Sequence, residues 1–346
     1  MPDPLRGDSS ALWFARIVGK LMRNTIFALS ILAFAGVPAL AQTTPSPALL
    51  VLSKKDLTLS IVDPHTLKVV ARMPSGPDPH EVEPSSDGKF AYISNYGFGS
   101  YHTITVVDLT AGKTLRAIDL TPLNGPHGLY YAGGKLYFTA ETNKVIGTYD
   151  PASDKVDWIM GTGQDRTHMV FVWPDLLHIA TSNVSSGTIS LLNKTGRSWE
   201  QTVVPVGKGS EGFDVSPDGK ELWAANAGDG TISVIDVPAR KVVATLDAHV
   251  RSANRLKFTP DGKLVLVSCL ASPDLTVLDA ATRREVKRIQ IGTGAAGIEM
   301  QPDGSRAFVS CTPDNYVAVI DLKSLALGGK LDAGKGPDGL AWAVRK

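Results

Sequence analysis

The chain has 346 residues, of which 35 are Lys or Arg and 34 are Asp or Glu, so its formal charge at pH 7 is +1. A balance this close to zero leaves no global footprint for binding nucleic acid or an anionic membrane. Hydrophobic residues make up 43%, as in an ordinary globular domain, while 33 glycines and 22 prolines suit many short strands joined by tight turns.

From the N-terminus, residues 1–21 read as an upstream extension, with Met22 as the true start. Residues 22–41 read as a secretory signal peptide: Arg23 is the positive start, 26–37 an apolar run, and Ala39-Leu40-Ala41 a small-residue cleavage pattern before Gln42. The run is too short for a hydrocarbon layer of roughly 30 Å, so no membrane span is expected after cleavage. The competing reading is an N-terminal anchor helix. The mature chain, 42–346, is expected to be periplasmic or secreted, with 42–47 a short linker and 48–346 one all-β domain.

From residue 48 the chain repeats itself. The segment GFDVSPDGKELWAANAGDGTISVIDVPARKVVATLD (212–247) matches GIEMQPDGSRAFVSCTPDNYVAVIDLKSLALGGKLD (297–332) element by element. Each holds an alternating strand, a Pro-Asp-Gly turn, a second strand, a polar loop, a third strand ending in Asp, and a fourth strand. Pro presets φ, Asp bonds the local backbone and Gly tolerates φ > 0. The third strands end at Asp63, Asp108, Asp150, Asn193, Asp236, Asp279 and Asp321, spaced 45, 42, 43, 43, 43 and 42 residues apart. Units of that length with four strands are propeller blades, and there are seven. The first unit lacks its first strand, and the tail GPDGLAWAV (336–344) supplies one. The two ends are therefore expected to share a blade and close the ring, hiding the sheet edges.

These residues, above all SPDGKELWAANAGDGTISVIDV (216–237), SSDGKFAYISNY (85–96) and QPDGSRAFVSC (301–311), resemble the YVTN-type repeat of the YncE-like periplasmic propellers. The resemblance covers roughly 46–346. It implies a seven-bladed β-propeller of four-stranded antiparallel blades. For activity it implies only a range: nucleic-acid binding, protein interaction, haem-d1 handling and lactone hydrolysis have all been linked to such families, and the architecture hosts unrelated functions.

Function in a propeller lies in the loops at one mouth of the channel. Aligned on the first turn, the blades place Asp338, His80, His127, His168, Glu211, Asn254 and Ala296 in one column. Three consecutive histidines between carboxylates are conspicuous in a chain with seven histidines. The ends of the second strands read as a wider ring on the same face: Ser53, Asn95, Glu141, Asn183, Asn226, Cys269 and Cys311. His102 and His249 fall in loops of that face, His65 in a turn of the opposite face and His178 in a strand. Glu211 shares its parity with Phe213 and Val215, so alternation alone allows it to face a neighbouring blade instead of the channel.

Three readings of the column stand side by side. His80, His127 and His168, with Glu211 or Asp338, suit Zn, Cu or non-haem Fe. Without a metal, the same groups with Arg166, Arg255, Asn254, Glu141, Asn95, Asn183 and Asn226 suit a small polar or anionic ligand, and a histidine beside a carboxylate suits the general base of a lactonase-like hydrolase or a lyase. Third, polar groups at a wet mouth satisfy backbone and water, and the propeller is then a scaffold for a periplasmic protein. The working expectation is the ligand binder, with the hydrolase or lyase and the scaffold as alternatives.

The loop NYGFGSYH (95–102) carries an insertion and reads either as an aromatic lid or as a plain surface loop. Cys269 and Cys311, at equivalent places on adjacent blades, read as a staple only if their Cα atoms come within about 7 Å, and otherwise as small buried residues. The Asp residues ending the third strands read as turn caps. No CxxCH motif for covalent haem, no phosphate loop, no Gly-x-Ser-x-Gly elbow and no zinc-finger spacing occurs.

Overall fold

The computed structural model describes residues 44–247, 249–250 and 252–346. The expected extension 1–21 and signal segment 22–41 lie outside the described residues, as do the first two residues of the expected linker. No helix among the described residues is long and apolar enough to cross a membrane.

Short runs such as TISVID (Thr231–Asp236) are rich in β-branched residues and bounded by turn residues, which favours strands. The strands assemble into seven four-stranded antiparallel sheets. Blade 5 is typical: Ser210–Val215, Glu221–Asn226, Thr231–Asp236 and Lys241–Asp247, in that order from the axis outward. The innermost strands of blades 2 to 7 are Pro79–Pro84, Pro126–Ala132, Thr167–Val172, Ser210–Val215, Ala253–Phe258 and Ala295–Met300. Blade 1 takes its innermost strand from the C-terminus: Pro337–Ala343 pairs with Ala48–Ser53 in the register Leu49↔Trp342, Leu50↔Ala341. The ring closes as the complementary ends require. Residues 44–47 are fastened to this closure, since Thr44 Oγ1 donates to the Leu109 carbonyl at 2.7 Å and Arg345 N–H donates to Ser46 Oγ at 2.9 Å.

The hydrophobic core lies between blades. One cluster joins Trp223 and Val234 of blade 5 to Leu256 and Val267 of blade 6. Another joins Phe308 and Val317 of blade 7 to Leu49 and Leu340 of blade 1. Second and third strands are therefore buried on both faces, while the fourth strands alternate with solvent as the blades diverge. Truncating a wholly buried side chain such as Phe308 to Ala costs about 3–5 kcal/mol. The Asp caps form as the sequence implies: Asp63, Asp108 and Asp321 accept the N–H groups of His65, Thr110 and Ser324 at 2.8, 2.8 and 2.7 Å. Cys269 and Cys311 are buried and are not joined in a disulfide.

One irregularity recurs in every blade. The innermost and second strands pair at the first residue of the inner strand, slip, and pair again from its fourth: Pro79↔Asn95 then Val82↔Ile93, Ser210↔Asn226 then Phe213↔Ala224. The slip falls on His80–Glu81, His127–Gly128, His168–Met169, Glu211–Gly212, Asn254–Arg255, Ala296–Gly297 and Asp338–Gly339. A bulge re-aims side chains and breaks simple alternation. Phe213 can thus pack in the inter-blade core while Glu211, of the same parity, reaches the channel mouth.

Candidate functional site

The re-aimed residues are held from behind. In four blades a hydroxyl near the end of the second strand donates to the backbone carbonyl of the column residue in the next blade. The pairs are Thr139 with His168 (2.6 Å), Ser182 with Glu211 (2.7 Å), Ser268 with Ala296 (2.8 Å) and Ser310 with Asp338 (2.6 Å). The same Thr139, Ser182 and Ser268 oxygens accept the N–H groups of Gly128, Met169 and Arg255 in their own blades. Behind the column stands glycine in four blades, because the next blade leaves no room for a side chain. A Cβ on Gly128 would lie 2.5 Å from the His168 carbonyl oxygen, and one on Gly339 would lie 2.4 Å from that of His80.

This framework brings Asp338, His80, His127, His168, Glu211, Asn254 and Ala296 to one basin of about 860 Å³ at the channel mouth. Arg166 and Arg255 line it too, with Lys54, Tyr96 and Phe98. Its floor is an ion pair across the axis: Arg255 of blade 6 donates to Glu81 Oε1 of blade 2 at 2.6 Å. Below lies a second chamber of about 310 Å³, lined among others by Glu83, Asp214, Lys257 and Glu299.

The wider ring needs correction. Asn95, Asn183 and Asn226 are wholly buried and do not reach the basin. Their side chains serve the blade framework: Asn95 accepts from Thr105 Oγ1 of its own blade at 2.8 Å and donates to the carbonyl of Ser75, in the segment leading in from blade 1, at 3.0 Å, while Asn183 donates to Ser190 Oγ at 3.0 Å and Asn226 to Ser233 Oγ at 3.0 Å. Glu141 does reach the site because it is not their equivalent. The strand in blade 3 ends at Ala140, opposite Pro126, since its first hairpin turns tightly between Ala132 and Lys135. Glu141 is one residue further on, and a one-residue slip changes which way a side chain faces. The ring that does flank the basin is this later position, and it includes Lys54, Tyr96, Leu270 and Thr312. Sequence reasoning missed Lys54 for that reason and met Tyr96 only as part of the aromatic loop 95–102; aligning the blades one residue beyond the strand ends would have placed both in the ring.

At the centre the imidazoles of His127 and His168 lie with ring centroids 3.8 Å apart, both 3% exposed. Glu141 Oε1 is hydrogen-bonded to His168 Nδ1, and its Oε2 accepts from the Tyr96 hydroxyl at 2.5 Å and from Arg166 Nε at 3.4 Å. Glu211 Oε2 is 2.9 Å from His168 Nε2 but off the axis of a hydrogen bond, so that nitrogen has an ionic neighbour and no aligned partner. His127 Nδ1 is likewise buried without a hydrogen bond, its nearest carboxylate being Glu81 at 4.0 Å. Tyr96 packs edge-on to His80 and His127 at 4.8 and 5.1 Å, and Phe98, 89% exposed, stands 6.2 Å from Tyr96. Phe98 holds a left-handed backbone (φ +51°) inside a loop pinned by Gly97 N–H donating to Asp78 Oδ2 at 2.9 Å and Thr142 Oγ1 donating to the Gly99 carbonyl at 2.6 Å.

Charge is arranged in pairs. Burial pushes His127 well below its ordinary range, helped by cationic neighbours His168, His80, Arg255 and Lys54. Burial opposes charge on His168 as well, but Glu211 and Glu141 flank it and raise its pKa. The same contacts, with Arg255 and Arg166, hold Glu211 at about 2 against the cost of burial, and His168 with Tyr96 and Arg166 hold Glu141 down. Across the basin Lys54 donates to His80 Nε2 at 2.5 Å and lies 3.5 and 3.3 Å from Asp78 and Asp338. Burial leads His80 and Lys54 in setting Asp338, which is raised, whereas Asp78 is held at about 2 by His80, Lys54 and the Gly97 N–H against burial. His102 and His249 stand in exposed loops beside Asp119 and Asp247, outside the basin lining.

No family model matches the chain, and no curated protein sequence does. Solved structures match its fold. A protein of unknown function from Desulfotomaculum acetoxidans has a TM-score of 0.73 at 14% identity, covering 87% of this chain and 100% of that one. A candidate 6-phosphogluconolactonase from Bacteroides uniformis has a TM-score of 0.71 at 15% identity, covering 86% and 99%. The dihydro-haem d1 dehydrogenase NirN, solved in complex with DHE, has a TM-score of 0.63 at 16% identity, covering 82% of this chain and 63% of that one. At these identities the likeness is one of fold, and the YVTN-type resemblance rests on the repeat residues alone.

Proposed function

We propose that this chain is an exported propeller that binds a small polar molecule in the basin at the channel mouth. The observation that carries the reading is His127 Nδ1, a buried imidazole nitrogen that has no hydrogen-bond partner within the protein. A buried polar atom left without a partner is costly, and a bound ligand supplies one. Arg166, Arg255 and Lys54 around the basin, and carboxylates at Glu211 and Asp338, fit a ligand bearing both an anionic group and hydroxyls. Phe98 and Tyr96 offer it an apolar wall. Export, and with it a periplasmic setting, rests on residues 22–41 alone.

The hydrolase or lyase alternative uses the same residues, since a general base needs an imidazole nitrogen open to the substrate. Likeness of fold to a candidate lactonase is compatible with it and goes no further. One experiment serves both. Chelator-treated protein is screened by thermal melting against lactones, sugar acids, hydroxycarboxylic acids and sugar phosphates, beside the double variant His127→Ala/His168→Ala. A compound at 100 times its Kd stabilises by about 2.7 kcal/mol. The reading expects at least one class to raise the melting temperature of the wild type and not that of the variant. Consumption of that compound would make the chain an enzyme, and no stabilisation by any class would end the proposal.

A further inference from the structure

We propose that His127, His168 and Glu141 hold a divalent transition-metal ion in the wall of the basin, with His168 offering the Nδ1 nitrogen that faces Glu141. The proposal deepens the basin reading and rests on it, because such an ion would anchor a polar ligand there. One donor atom from each of the three residues lies within 4.8 Å of the other two. Bonds of about 2.0–2.2 Å to one ion bring donors to roughly 3–4 Å from each other, so small rotations of the side chains close the set. All three are buried, at 3, 3 and 4% exposure.

Two further observations point to a ligand. His127 Nδ1, in the ring that lies 3.8 Å from that of His168, is buried with no hydrogen-bond partner in the fold, as a metal-binding nitrogen is before its ion is counted. Tyr96 and Arg166 hold Glu141 by its other oxygen, which is the outer support that fixes a ligating carboxylate. Two imidazoles with carboxylate and no thiolate suit Zn²⁺, Co²⁺, Ni²⁺ or Cu²⁺ over Ca²⁺ or Mg²⁺. The set differs from the sequence expectation in one member: His80 Nε2 is taken by the Lys54 ammonium, and Glu141 replaces it.

The test is titration of the chelator-treated, untagged protein with Co²⁺, read by its ligand-field bands and by equilibrium dialysis, followed by displacement with Zn²⁺. The proposal expects one equivalent bound, at least tenfold weaker binding in His127→Ala, His168→Ala and Glu141→Gln, and binding within threefold of wild type in His80→Ala. His127→Gln keeps the side chain's bulk and carries the same expectation should an alanine variant fail to fold. Folded wild type that takes up none of Co²⁺, Zn²⁺, Ni²⁺ or Cu²⁺ stoichiometrically, or uptake unchanged in the His127 and His168 variants, overturns the proposal. The metal-free melting screen separates the two ideas: ligand stabilisation without metal uptake removes the ion and leaves the basin.

Discussion

Replacing Thr139 by valine isolates the hydroxyl clamp that fixes the histidine column. Thr139 is wholly buried; its Oγ1 donates to the His168 carbonyl at 2.6 Å and accepts the Gly128 N–H at 2.9 Å. Valine keeps the shape and leaves a buried carbonyl and a buried N–H without partners, at about 1–3 kcal/mol each, so a loss of about 2–6 kcal/mol is expected. Thr181 is the control. It is just as buried, on the second strand of the next blade, and its hydroxyl has no partner, so Thr181→Val removes an uncompensated polar group and should be neutral or stabilising. Equilibrium denaturation in urea reads both variants, and at roughly 2 °C per kcal/mol a melt resolves the difference. If Thr139→Val is no less stable than Thr181→Val, hydroxyls do not hold the column and the reasoning fails.

Gly339→Ala would set a Cβ 2.4 Å from the His80 carbonyl oxygen and should cost about 1–3 kcal/mol or more; Gly329→Ala, with nothing within 4 Å, should change stability by less than about 0.5 kcal/mol. In the lower chamber, burial first and then the charges of Glu299 and Glu81 push Glu83 up to about 8, against the Tyr131 N–H and Lys257, with Tyr130 and Asp214 also facing this group of charges. The folded state then holds a proton that the unfolded chain releases near 4.5, so the contribution of Glu83 to stability is fully present below that pH and is lost as pH rises towards 8; Glu83→Gln should flatten the slope in melts from pH 5 to 8, and an equal slope in both proteins would count against the assignment. Phe98→Ala should leave the melting temperature within about 1 °C, since the ring is 89% exposed, while weakening any ligand found in the basin; a large loss of stability would mean the ring packs in solution.

The repeat made the fold readable: seven third-strand ends at near-constant spacing fixed the blade number, and the missing first strand of blade 1 matched the tail that closes the ring. The column from Asp338 round to Ala296 was readable for the same reason, as equal positions in equal units share a face. Its orientation was not, because a bulge recurs at that position and breaks the alternation by which a strand's faces are read. The outer ring went wrong by one residue at blade 3, where a tighter hairpin moves Glu141 past the strand end, and in the other blades, where the asparagines turned inward to their own strands. The Arg255–Glu81 floor joins residues 174 apart in sequence, and local patterns do not report such a pairing.

The central claim is that the basin, and not another hollow of the molecule, is the functional site. The competing hollow is a groove of about 460 Å³ between blades 2 and 3, lined by residues that include Tyr92, Arg116 and Tyr131. The direct measurement is isothermal titration of the strongest compound from the melting screen into wild type, His168→Ala, Glu211→Gln and Tyr131→Ala. The account predicts at least tenfold loss of affinity in the first two variants and wild-type affinity in Tyr131→Ala. Binding that survives both basin variants and fails in Tyr131→Ala would contradict it.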